Sequence, residues 1–542
     1  MLTLKPSPMK GILKFTFICC GLLWQTHAGA QIKRAPDRAE GEGPWPQLII
    51  RGVTVIDGTM SPPFGPVDIV VEKNRIAAVR VVGSPGSPVN EKRRPVLKPG
   101  GKELNAEGMY LMPGFIDNHV HIGGGDKVPS ADYVYKLYMG HGVTTIVEAG
   151  SMNGLDWVLG EKGRSERNEI TAPRIKAYTR FGMGSNAPIS TPEQARAWVR
   201  NNAKMGADGI KFFGEVPAIM TAALDENKKL GLRSKMHHSQ TYVGSWNALT
   251  SAKAGLTSME HWYGLPEAMF TDRTVQNYSL DYNYQNEQDR FGEAGLLWKQ
   301  TAQPFTKKWN EVMDEMLKLD FTLSPTMVAY LANRDLMKMR RAEWHEQYTL
   351  PSLWNYYMPN RDAHGSYWFS WGTEQEVVWK ENFRLWMAFL NEYKNRGGRV
   401  TVGTDAGFIF NLYGFAYVQE MELLREAGFH PLEIIKAATM NGAEVIGESK
   451  NLGSIEVGKL ADFVIVKENP LTNIQSLFGT GVIKVTPDNK VVRAGGVSYT
   501  IKDGIIYDAK KLLEDVRKMV AEEKAKTGFE LLQPGDVSLK NK

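Results

Sequence analysis

The chain has 542 residues, 42% of them hydrophobic, with 65 Lys and Arg against 60 Asp and Glu for a net charge of +5. That is ample apolar material for a sizeable core, and too long a chain for one small domain. So mild a positive balance, with no basic block interleaved with aromatics, excludes a protein built around nucleic acid.

In chain order, Lys5, Lys10 and Lys14 lead into the short apolar run FTFICCGLLW (15–24), which is followed by the small-x-small set Ala28-Gly29-Ala30. This pattern predicts a secretory signal peptide over residues 1–30, its apolar part too short for a good membrane span. The expectation is an exported chain, periplasmic or secreted, with no stable membrane insertion once the leader is removed. Both cysteines, Cys19 and Cys20, fall in the leader. The mature chain would therefore hold no disulfide, no thiol nucleophile and no Cys-bound zinc. Residues 31–46 are polar and rich in Pro and Gly, and read as a linker.

Residues 47–112 read as short strands with β-branched alternation and tight polar turns. The same texture returns over 449–510, where Asp503-Gly504 marks a two-residue hairpin. One small composite β-sandwich domain formed from both chain ends explains this symmetry, with a C-terminal helix and tail over 511–542. Between them, over 113–448, helix-then-strand units repeat. TPEQARAWVRNNAKMGA (191–207) is one: it opens with a Thr cap and a Pro in the first turn and stops at Gly206 before the strand GIKFFG. Eight such strands across about 330 residues indicate an α/β fold, a (β/α)8 TIM barrel with insertions at 262–320 and 328–395. An open doubly wound sheet fits less well, because no Gly-rich phosphate fingerprint follows an early strand.

In such a barrel chemistry sits at the C-terminal strand ends. His119 and His121, in GFIDNHVHIGGG (114–125), are one residue apart, so they share a face of their strand. An H-x-H pair alone is weak evidence for a metal. Lys211 lies in the fourth strand, His237 or His238 ends the fifth, His261 ends the sixth and Asp405 ends the eighth. Of the adjacent pair, His237 holds the last inward position of RSKMH. Metal-ligand types at four of eight strand ends, from a chain with only ten histidines, are a poor match for chance.

These motifs resemble the amidohydrolase superfamily, most of all its imidazolonepropionase/prolidase-like branch of metal-dependent hydrolases. PGFIDNHVH, GADGIKFFG, the strand-5 histidine, SMEHW, TVGTDAG and the closing NLGSIEVGKLADFVIV follow that pattern in order, over about residues 47–510. The resemblance implies two divalent ions, usually zinc, one held by His119, His121 and Asp405 and the other by His237 and His261. Lys211 would bridge them as a carbamate formed with carbon dioxide, an anionic ligand where an ammonium would be repelled. It further implies hydrolysis of an amide-type C–N bond (a dipeptide, an N-acyl amino acid or a related amide) by a metal-bridging hydroxide, with Asp405 as general base and acid. A cyclic-amide hydrolase is equally compatible; a mononuclear deaminase on the same barrel lacks the bridging lysine. The expected partner is a small-molecule amide, and a homo-oligomer is compatible with the chain.

Two further expectations concern the surroundings. Glu148 and Glu260 read as structural carboxylates, with Glu260 pointing outward because its neighbour His261 points in. Six tryptophans fall in 344–386 (Trp344, Trp354, Trp368, Trp371, Trp379 and Trp386). This insertion reads equally well as a lid over an apolar substrate group and as a packed helical subdomain.

Overall fold

The computed structural model describes residues 31–124, 127–359 and 364–531; the expected leader, with both cysteines, lies outside these residues. Near the start, β1 (Gln47–Val55) pairs antiparallel with β2 (Phe64–Glu72), and β2 with β3 (Arg75–Val81). On its other side β1 runs parallel to β4 (Lys102–Asn105) through its first half and to β5 (Tyr110–Pro113) through its second.

The chain then enters eight parallel strands: β6 (Phe115–Val120), β7 (Val143–Ala149), β8 (Arg174–Arg180), β9 (Gly209–Phe212), β10 (Arg233–His237), β11 (Ser258–Glu260), β12 (Thr322–Ser324) and β13 (Arg399–Val400). Each hydrogen-bonds to the next in sequence order. Beyond β13 the chain turns onto β6, where Asn118 N–H donates to Val402 O at 3.0 Å and Asp405 N–H to His119 O at 2.8 Å, closing the barrel. β7 is buried at every position, as expected of strands covered on both faces. The helices between the strands carry the stop and start chemistry read above. Thr191 and Gln194 form a capping box at the head of Pro192–Met205, and Gly206 ends that helix at φ 110°.

After the barrel, β14 (Phe463–Val466) pairs antiparallel with β5. β15 (Val482–Val485) and β16 (Val491–Ala494) form a separate ribbon. β17 (Val497–Lys502) then joins β14 and is followed by its hairpin partner β18 (Ile505–Asp508). Both chain ends thus share one sheet, as the recurring strand texture implies. Among the described residues these strands form a single hydrogen-bonded sheet around one apolar cluster that includes Ile50, Val53, Leu111, Phe463 and Ile501.

The segment 31–46, read as a linker, is held. Ile32 and Ala35 are buried, the Arg34 guanidinium lies 5.3 Å over the Trp157 ring, and Glu42 N–H donates to Ile506 O at 2.8 Å. Composition alone conceals this, because few apolar side chains anchor it: Ile32 and Ala35, with Trp45 half-buried against the sheet's apolar cluster. In the two inserted regions, the final helices Lys307–Lys318 and Thr373–Asn395 run directly into β12 and β13. The aromatic region packs inward: Trp354, Trp379 and Trp386 are fully buried, and Trp379 stacks on Tyr330 with centroids 5.5 Å apart. Among the described residues no helix is long and apolar enough to cross a membrane.

Candidate active site

The barrel brings together His119, His121, Lys211, His237, His261 and Asp405 at its C-terminal mouth. His119 and His121 leave β6 with ring centroids 5.4 Å apart, His119 and His261 are separated by 5.0 Å, and His261 and His237 by 4.8 Å. His238 turns away to place Nε2 at 2.8 Å from Ser251 Oγ. The strand alternation that favours His237 over its neighbour therefore agrees with where the two rings lie.

Three imidazoles present Nε2 to one carboxylate. His121 lies 3.2 Å from Asp405 Oδ1, His119 lies 3.7 Å from the same oxygen, and His261 lies 3.9 Å from Oδ2. Each Nδ1 is occupied by a different partner: Glu260 Oε2 at 2.5 Å from His119, Glu148 Oε1 at 3.4 Å from His121, and Thr326 Oγ1 at 2.5 Å from His261. For His119 and His261 an outer acceptor favours the proton on Nδ1, which would leave the inner lone pair free. One ligand atom from each of His119, His261 and Asp405 fits within a 4.8 Å span, close enough to hold an ion.

Glu260 does not point outward as expected. It is fully buried, and also lies 3.5 Å from Lys235 Nζ and 3.2 Å from Ser258 Oγ, so it faces the barrel interior. The alternation argument fails because His261 sits at φ 67°, which turns the chain so that successive side chains both face in. Glu148 likewise reaches the site through His121, and accepts Ile122 N–H at 2.6 Å. The i, i+2 relation of Ser258 to Glu260 is the signal that could have placed Glu260 inside.

Burial dominates the electrostatics. It depresses His119 to about 4, with Lys211 adding to the effect. It works against charging His121 as well, but the hydrogen bonds that this ring donates to Asp405 and Glu148 overcome burial and raise the ring to about 9. Burial opposes ionisation of Asp405 too, yet the surrounding His119, His121 and His261 hold it well below the usual carboxylate range. Lys211 is driven down to about 8, first by burial and then by Lys235 and Arg180, against the pull of Glu260 and Asp405. Its Nζ is buried and has no hydrogen-bond partner among the described residues. Such an amine is more readily neutral, and therefore nucleophilic, than an exposed lysine.

Residues 386–505 match the amidohydrolase family. Among curated proteins the chain is 25% identical over 177 residues to an adenine deaminase of Methanoculleus marisnigri, covering 31% of this chain and 33% of that protein. It is 43% identical over 68 residues to an imidazolonepropionase of Symbiobacterium thermophilum, covering 12% and 15%. The matched stretches thus span a third or less of these relatives. Among solved structures, bottromycin amidohydrolase superposes with a TM-score of 0.59 at 20% identity, covering 89% of this chain and 91% of that one. A Xaa-Pro dipeptidase with bound methionine superposes at 0.54 and 19% identity, covering 85% and 100%. The motif resemblance, the family match and the shared fold agree: this chain carries an amidohydrolase-family segment on an amidohydrolase-type barrel.

Proposed function

We propose that the protein is a metal-dependent hydrolase of amide-type C–N bonds in small molecules, with a dipeptide or N-acyl amino acid as substrate. The observation that carries this reading is the convergence of three Nε2 atoms on the Asp405 carboxylate, each Nδ1 being tied behind. The donor set fits divalent ions: four imidazoles and a carboxylate, with no cysteine, suit zinc and its neighbours. His119, His121 and Asp405 would hold one ion and His237 and His261 the other. A carbamate on the buried, unpartnered Lys211 amine would add an anionic ligand to that set. Bound metal at such a site supplies a water acidified to near neutral pH and polarises a carbonyl.

The chain's own residues do the rest. Asp405 is held ionised, so its carboxylate oxygens can take the proton released by an attacking water and return it to the departing nitrogen. Glu260 and Glu148 hold the rings of His119 and His121 in orientation. Tyr263 and Tyr330, buried beside His237 and His261 with centroids at 5.3 and 5.7 Å, exclude water from that side of the mouth.

A deaminase using one ion is the second reading, favoured by the tight His119–His261–Asp405 grouping and by the adenine deaminase similarity. The test is to load the leaderless chain with Zn2+ or Mn2+ and offer dipeptides, N-acyl amino acids and adenine. Release of free amino acid from the first two, with no ammonia from adenine, is the expected result. Ammonia from adenine alone would replace this reading with the deaminase.

A further inference from the structure

We propose that Thr326 is a positioning residue for His261, and that Glu420 acts through it by clamping the turn on which it sits. This rests on reading the His/Asp cluster as a metal site and adds two residues from outside the strand-end set.

Thr326 follows β12 and is fully buried in the left-handed region, at φ 49° and ψ 41°. That conformation is a true outlier for a β-branched side chain. Two of the cluster residues share the same region, His261 at φ 67° and Asp405 at φ 51°. Non-glycine outliers of this kind persist only where the surroundings over-determine them, and they concentrate where geometry matters to function.

What over-determines Thr326 is a carboxylate. Glu420, fully buried on the helix Phe415–Glu426, accepts Met327 N–H at 3.0 Å through one oxygen and Val328 N–H at 2.7 Å through the other. These amides open the short 3-10 turn Met327–Tyr330, where no intrahelical acceptor reaches them. Among the described residues Glu420 has no ion-pair partner, and burial raises it to about 8 in spite of the two amides. A carboxyl wholly buried with these two amides as its partners is costly to place, so its placement calls for more than a generic turn. With the turn fixed, Thr326 Oγ1 stands 2.5 Å from His261 Nδ1, where it can accept that nitrogen's proton in a hydrogen bond while Nε2 faces Asp405. His119 and His121 are backed by carboxylates, whereas His261 is backed by a hydroxyl that brings no negative charge. Its alignment therefore depends on where the backbone holds that hydroxyl, and Glu420 sets that position.

The test is competition of the full leaderless chain with a chelator for Zn2+, read as ions retained per chain by elemental analysis, with thermal unfolding followed in parallel. Thr326→Val should weaken retention of one ion about tenfold or more, the range for loss of an outer partner of a metal-bound histidine. Thr326→Ser, which keeps the hydroxyl, should stay within about threefold of wild type. Glu420→Gln should also weaken retention, and the double variant Thr326→Val/Glu420→Gln should be no weaker than Thr326→Val alone. Wild-type retention in a folded Thr326→Val chain overturns the inference, and multiplying effects in the double variant overturn the route through Thr326. Should Glu420→Gln fail to fold, the Val and Ser variants still decide the role of Thr326. A wild-type chain that takes up no ion removes the metal reading and this inference together; uptake that is indifferent to Thr326→Val removes the inference alone.

Discussion

Lys211 carries the greatest chemical weight of any single residue. Its amine is buried without a partner between groups of both signs, and its charge is not matched by a nearby carboxylate at hydrogen-bond distance. Lys211→Ala should leave the chain with fewer than two ions and lower turnover by at least two orders of magnitude, about 3 kcal/mol of transition-state stabilisation. A small carboxylic acid should restore part of the activity by taking the carbamate's place. Lys211→Arg should fail as badly, because a guanidinium does not lose its proton to react with carbon dioxide. Elemental analysis and steady-state rates check both variants; full metal content with wild-type rates in either would remove the bridging role. The strand-end residues were legible because strand periodicity and residue type point the same way at His119, His121, His237, His261 and Asp405. Glu260 was misread because His261 breaks the alternation on which its orientation was judged. Thr326 and Glu420 leave no sequence signal: a lone hydroxyl and a helical glutamate are unremarkable until the turn between them is seen.

At the scale of elements, the aromatic region decides between a lid and a packed subdomain by burial. Trp379 is fully buried, donates its indole N–H to Phe291 O at 3.0 Å and stacks on Tyr330, which itself lies against His261. Such a residue acts as core, and excising 344–386 would expose that core. Trp379→Ala should cost about 3–5 kcal/mol of stability, read as a lowered urea midpoint. An unchanged midpoint with slower turnover of bulky substrates alone would instead indicate a lid. The eight-strand rhythm and the hairpin at Asp503-Gly504 could be read directly, since both depend on local turn chemistry and periodicity. Where the inserted helices pack could not, because periodicity shows that a helix has an apolar face and not which neighbour covers it.

The whole molecule joins two β-systems through a buried charge network. Arg174, at the start of β8, lies 3.0 Å from Asp503 and 3.5 Å from Asp462, both from the C-terminal part of the sheet. Asp503 is at the tip of the β17–β18 hairpin, so the sheet docks on the N-terminal end of the barrel strands, away from the mouth. The mouth is left to the strand ends, their loops and the inserted helices, which is the division expected when one end of a barrel serves stability and the other chemistry. The central claim is that this mouth holds two divalent ions. Its most direct measurement is the number of ions per chain after loading the protein without residues 1–30 with Zn2+ and removing excess metal. The account predicts two, and fewer than two in Lys211→Ala; one ion per wild-type chain would contradict the binuclear site, and none would contradict the metal centre altogether.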